Sequence, residues 1–155
     1  MLPEAETIEI LRSCTAGVLA LSGDYGYPYA VPLSYVYVDG KLYFHFAKEG
    51  HKVDSINRND KVSFCVIDKS EVIQRTLTNH YRSVIIFGRA RFLTAEDEKK
   101  YALERLAEKY SPDYPEEGQK EIARSLKRVS VAEVFIEHMT GKIAIELVKR
   151  KENNH

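Results

Sequence analysis

The chain has 155 residues, 44% of them hydrophobic and 30% charged, and its 23 basic side chains balance its 23 acidic ones. That length suits one domain with its own core, needing no metal or disulfide to hold it. Zero net charge excludes a broad basic face for gripping nucleic acid, while leaving room for one local cationic pocket.

The opening stretch, MLPEAETIEIL, carries acidic residues where a secretory signal would carry basic ones, and no long apolar run follows. A cytoplasmic protein with no membrane segment is expected. Cys14 and Cys65 stand far apart in unlike contexts and read as reduced thiols. No metal site is expected, because His45 and His51 lack a second pair of ligands at fixed spacing.

In chain order, residues 3–14 read as a helix, with Pro3 in its first turn, Glu4 and Glu6 at its positive end, and Ile8 and Leu11 on one face. GVLAL (17–21) reads as a short buried strand and SGDYG (22–26) as a turn. Residues 27–38 read as one strand. Its Pro28 and Pro32 cannot donate to a ladder, so part of it should lie at an edge or against a ligand. Asp39-Gly40 signals a two-residue hairpin into a third strand, 41–46, the two making a paired ribbon. A loop ending in Gly50-His51-Lys52 opens a short helix over 51–57. Residues 61–68 and 81–93 read as further strands, with Gly88 a bulge where a barrel bends.

Thr94 with Asp97 resembles a capping box at the start of a helical block, in which Ala102, Leu106 and Tyr110 share a face. SPDYPEEG (111–118) interrupts it before a second helix carrying Ile122 and Leu126. Two last strands are expected near 130–137 and 141–149, with His138–Lys142 as the turn between them, able to cover a site on a neighbouring subunit or simply to face solvent. The order predicts a mainly β fold, an antiparallel barrel with flanking helices, in a single domain over 1–150 followed by a tail, 151–155.

The loop from Ala47 to Lys52 is the first chemical candidate. Helix N-terminal amides attract phosphate, Gly50 permits close backbone approach, and His51 and Lys52 add donors. The same spacing also fits a solvated turn. His45, between Phe44 and Phe46, can exchange a proton near neutral pH, or be a histidine satisfied by a carbonyl. Val31, Pro32, Leu33, Ser34 and Tyr35, together with Tyr81, Arg82, Ser83 and Val84, fit either the wall of a pocket or plain barrel packing.

These pieces together, GVLAL (17–21), YPYAVPLSYVYVDGKLYFHFAKEGHKVDSINRNDKVSFCV (27–66), YRSVIIFGRARFL (81–93) and HMTGK (138–142), resemble the pyridoxamine 5′-phosphate oxidase-like flavoproteins, in particular the branch of the 5-nitroimidazole antibiotic resistance proteins. The resemblance implies an FMN-binding split β-barrel that forms a homodimer with the flavin at the interface. It implies that Val31, Pro32, Leu33, Ser34 and Tyr35 run along the isoalloxazine, and that His51 and Lys52 hold the phosphate with Ala47 and Gly50 close by. Tyr81, Ser83 and Val84 would complete the pocket, from either subunit, and His45 would be catalytic.

One departure stands out. The pyridoxamine phosphate oxidases carry a Ser-Arg-Lys phosphate loop where this chain has Gly50-His51-Lys52, and VPLSY (31–35) has no basic residue, so the vitamin substrate does not follow. The expected function is an FMN-dependent oxidoreductase passing electrons from a reduced donor to a small acceptor such as a nitroimidazole. A non-enzymatic flavin sensor or carrier, or a barrel holding haem or a deazaflavin, are the alternatives.

Overall fold

Alternating hydrophobic side chains make nearly half of the described residues into strands. The computed structural model describes residues 1–144. They form α1 (Glu4–Ser13), β1 (Ala16–Ser22), β2 (Pro28–Ser34), β3 (Val36–Val38), β4 (Lys41–Ala47), α2 (His51–Arg58), β5 (Lys61–Ile73), β6 (Thr78–Phe92), α3 (Glu96–Tyr110), α4 (Pro115–Ser125) and β7 (Val129–Ile143). The seven strands make one antiparallel sheet in the order β2-β1-β5-β6-β7-β4-β3. Its two edge strands, β2 and β3, are consecutive in the chain and separated only by Tyr35. The sheet therefore curls back on itself, and the mainly antiparallel split β-barrel expected from the sequence is the fold observed.

Two cores follow from the two faces of the sheet. Inside the barrel, Leu19, Leu42, Phe44, Phe64, Val66, Val84 and Ile86 pack together, joined by Ile10 and Leu11 of α1 and Ile56 of α2. Phe64 meets both Tyr35 and Phe44 edge-on, with ring centroids 4.9 and 5.3 Å apart, a favoured aromatic geometry. Outside, α3 and α4 cover β3, β4 and β7, burying Tyr43, Val131, Leu103, Leu106 and Ile122. The outer faces of β1, β5 and β6 stay bare.

Four expectations need correction. The ribbon over 27–38 is two strands, not one: β2 pairs with β1, and only β3 pairs with β4, through the Asp39-Gly40 turn, where both residues have positive φ. The break lies at Tyr35, which turns wholly inward and donates its hydroxyl proton to Leu11 O at 2.8 Å. The strands around 61–68 and 81–93 are longer than expected, continuing into a hairpin arm over 69–80. The arm escapes notice because Lys69, Ser70, Glu71 and Gln74 dilute the apolar alternation. The helix after Thr94 begins at Glu96 with Ala95 as its N-cap and no side-chain capping bond, so Thr94 and Asp97 do not form a box.

The fourth correction concerns the chain's end. Residues 138–142 are not a turn but part of β7, pairing with Ser83–Phe87 of β6. Gly141 has the look of turn punctuation. It is a glycine because α1 arrives there: Leu2 N donates to Gly141 O at 2.8 Å, and a β-carbon would collide with Thr7. The expected irregularity at Gly88 is present, as a register shift between Phe87 and Gly88 that leaves Glu137 unopposed on β7. The remainder of the expected strand over 141–149 and the tail 151–155 lie outside the described residues.

Under the N-terminal end of α3, buried Glu133 accepts hydrogen bonds from Arg91 and lies 3.5 Å from Lys41 Nζ. Burial alone would raise its pKa, but the Arg91 and Lys41 cations and the Tyr43 hydroxyl outweigh it and hold the carboxyl below its usual 4.5. A depressed carboxylate stabilises the fold fully above its unfolded pKa, and that contribution is lost as pH falls through the folded one. Thermal melts should therefore show Glu133→Gln less stable than the parent at pH 7, with the difference shrinking steadily once the pH drops below 4.5.

Candidate active site in the split of the barrel

The barrel's split is set by strand register. β3 has only three residues, and it pairs with Lys41–Tyr43 of β4. Beyond Tyr43, among the described residues, no strand pairs with that edge of β4, nor with the outer edge of β2. Two unpaired strand edges thus face the same opening, and unpaired edges leave backbone donors and acceptors available to a ligand. Proline at 28 and 32 suits such an edge.

Side chains alternate across each lip. On β4, His45 and Ala47 point outward and are exposed, while Phe44 and Phe46 are buried. On β2, Pro32 and Ser34 are exposed, whereas Val31 and Leu33 turn toward the inner core. Of the five residues expected along a ring, therefore, only Pro32 and Ser34 offer side chains. Val31 and Leu33 offer backbone, and the Tyr35 side chain is sealed in the core with its pKa raised by burial.

β4 leads directly into the cationic loop. Gly50, with φ of 131°, holds a conformation that side-chain-bearing residues rarely adopt, and it caps α2. Val53 N and Asp54 N both donate to Gly50 O, so the preceding amides of His51 and Lys52 open the helix with no carbonyl one turn earlier to receive them. Lys52 extends over the Phe46 ring, its Nζ 5.9 Å from the centroid. His51 sits 6.3 Å from the Tyr29 ring, and its Nδ1 lies 3.3 Å from Asp24, which also pairs with Arg58 at 2.8 Å. Asp24 was not among the residues singled out from the sequence. It lies in the turn at 22–26, and nothing local signals that this turn folds onto α2.

The inner end of the split widens into a cleft of about 660 Å³ between the barrel and the helices, where Ser34 and His45 meet Leu106, Tyr110, Tyr114 and Ile122. Tyr110 and Tyr114 were also missed as site residues. The only signal was the tyrosine-bearing interruption SPDYPEEG, since the periodicity of α3 assigned Tyr110 to packing. The cleft wall is mainly apolar, with Glu117 and Glu121 beside Lys120 and Arg124 on α4.

The structure does not bring Tyr81, Ser83 and Val84 to this opening within one chain. β6 is three strands away from β2 in the sheet, about 14 Å at ordinary strand spacing. Tyr81 is exposed just past the arm, Ser83 is buried, and Val84 is fully buried in the barrel. Among the described residues, no group of three or more His, Cys, Asp or Glu side chains is arranged to hold a metal, and no helix is long and apolar enough to cross a membrane.

The family model described as pyridoxamine 5′-phosphate oxidase matches residues 3–143. The chain belongs to that family. Solved structures agree on the fold of this pyridoxamine 5′-phosphate oxidase family member. It is similar to a candidate 5-nitroimidazole antibiotic resistance protein from Bacteroides thetaiotaomicron, at 23% identity and a TM-score of 0.76, covering 91% of this chain and 84% of that one. It is similar to an FAD-binding protein from Mesorhizobium loti, at 25% identity and a TM-score of 0.64, covering 92% and 96%. A protein from Mycobacterium smegmatis that binds FAD and haem shares 18% identity with a TM-score of 0.77, covering 93% and 72%. No curated protein sequence matches the chain.

Proposed function

We propose that this family member is an FMN-dependent oxidoreductase, acting as a homodimer, that passes electrons from a reduced donor to a small acceptor such as a nitroaromatic. One observation carries the reading: the free edge of β2 runs from Ser34, beside the exposed His45, to Tyr29, whose ring lies 6.3 Å from His51 at the cationic start of α2. The residues suit a flavin mononucleotide. His51 and Lys52 with their amides would hold a phosphate, and the edge of β2 from Val31 to Ser34 would meet the polar rim of a ring. Bound there, the flavin supplies the two-electron chemistry. Asp24 already engages the His51 imidazole at 3.3 Å, which leaves Lys52 as the principal anchor.

The protein's own residues would do the rest. The apolar wall formed by Leu103, Leu106 and Ile122 favours a neutral, planar acceptor and excludes water. The paired charges on α4 give the cleft no surplus of cations, which argues against a phosphorylated substrate. An acceptor that takes up electrons also takes up protons, and the imidazole of His45 is placed to deliver one.

The bare outer face supports the dimer. Cross-strand pairing aligns Val18, Cys65 and Ile85 in one row and Ser63, Phe87 and His138 in the next, with Ile67 beside them. Phe87 is 53% exposed and stacks on His138 with ring centroids 6.3 Å apart. A contiguous apolar patch of this kind calls for a cover. A second copy would also bring Tyr81 and Ser83 toward the opening.

Purified protein should be yellow, absorb near about 450 nm, and release FMN on denaturation, identified by mass spectrometry. An intense haem band, or colourless protein that takes up no added FMN, would overturn the reading. Anaerobically, with a reduced nicotinamide as donor and a nitroimidazole as acceptor, His45→Ala should lower kcat about a hundredfold while retaining bound flavin. Unchanged turnover would remove His45 from the reaction.

A further inference from the structure

The last residue of α3, Tyr110, makes contacts unusual for a surface helix. Its ring lines the cleft beside Ser34 and His45. Its hydroxyl reaches the Ser34–Tyr35 crossover, where the sheet passes from one edge to the other. Tyr35 N donates to Tyr110 Oη at 2.9 Å, and that hydroxyl has two carbonyls within reach of its single proton, Thr15 O at 2.6 Å and Tyr35 O at 2.7 Å. One side chain therefore takes over both backbone groups of the residue that interrupts the strand, and ties them to the start of β1. Lys109, next to it, reinforces the joint, donating to Cys14 O at 2.5 Å with Nζ 4.0 Å from the centre of the Tyr35 ring.

We propose that Tyr110 is a positioning residue for the ring end of the cofactor site, holding the Ser34–Tyr35 crossover so that the free edge of β2 stands at a fixed separation from His45. The inference rests on the flavin reading above. Its physical basis is that the crossover has no ladder partner of its own. Without the hydroxyl, Tyr35 N–H and C=O lose their partner, and the lip of the split can drift. Burial raises the Tyr110 pKa, so the hydroxyl keeps its proton across the working range. Because that hydroxyl is committed to the Ser34–Tyr35 crossover, Tyr110 presents chiefly its ring to an occupant of the cleft.

The test compares two ligands that share a ring and differ in a phosphate. Tyr110→Phe should weaken FMN and riboflavin alike, each by about tenfold in fluorescence titrations, and shift the absorption band of the saturated complex. Ile86→Val, a core change remote from the cleft, serves as the stability control and should leave both affinities and the band unchanged. Affinities and band that are unaltered in Tyr110→Phe, or altered equally in Ile86→Val, would overturn the inference. If Tyr110→Phe does not fold, hydrogen exchange on the unmodified protein decides: riboflavin should slow exchange at Tyr35 and Val36, and no change there would count against the proposal. Failure of the flavin reading itself is distinguishable, since the parent protein would then bind neither ligand.

Discussion

Replacing Lys52 with alanine is expected to weaken FMN binding roughly a hundredfold while leaving riboflavin binding within about twofold. The expectation rests on where charge lies at the start of α2. Two cations, Lys52 and Arg58, and the imidazole of His51 belong to that helix, but Asp24 engages Arg58 and His51. Among the described residues the Lys52 ammonium has only the face of Phe46 beneath it, so it can meet a phosphate placed against the opening amides. A charge-assisted contact of this kind is worth about 1.5–3 kcal/mol, the upper end of which corresponds to the stated loss. Riboflavin carries the ring without the phosphate, so it reports the other end of the site. Fluorescence-quenching titrations of both flavins, at low and at moderate salt, make the comparison. Equal losses for the two ligands would mean that Lys52 supports the ring or the fold, and no loss would move the phosphate elsewhere.

The second large effect concerns the bare sheet face. Phe87→Glu is expected to convert the proposed dimer to monomer at micromolar concentration and to strip the proposed flavin with it. Phe87 is exposed in the single chain, so the barrel core does not depend on it and the monomer should stay folded. Buried between two copies, a carboxylate in its place would be desolvated twice across the symmetry axis, at a cost of several kcal/mol. Sedimentation velocity gives the mass and absorbance the flavin content. A variant that remains dimeric would show that this face is not the interface. A monomer that keeps its full flavin would show that one chain completes the site, leaving Tyr81 and Ser83 without a role.

Features set by local chemistry are legible in the sequence. The α2 start announces itself through Gly50-His51-Lys52, and the Asp39-Gly40 turn through two residues that tolerate positive φ. The alternation in LYFHF puts His45 outside and Phe44 and Phe46 inside, as found. The signals that mislead are those with two possible causes. Gly141 is small because α1 packs on it, not because the chain turns there. Tyr35 continues the aromatic pattern of its strand, yet its inward turn divides that strand between opposite edges of the sheet.

The amino-acid sequence by itself determined the β-rich class, the histidine on β4 and the cationic loop, because each depends on neighbours within a few residues. Only the tertiary structure decided where the opening lies, that Asp24 pairs with His51, and that Tyr110 bonds to the crossover 75 residues before it. Those features depend on register and on contacts between distant segments. The same local pattern is compatible with many such contacts, and packing of the whole chain selects among them.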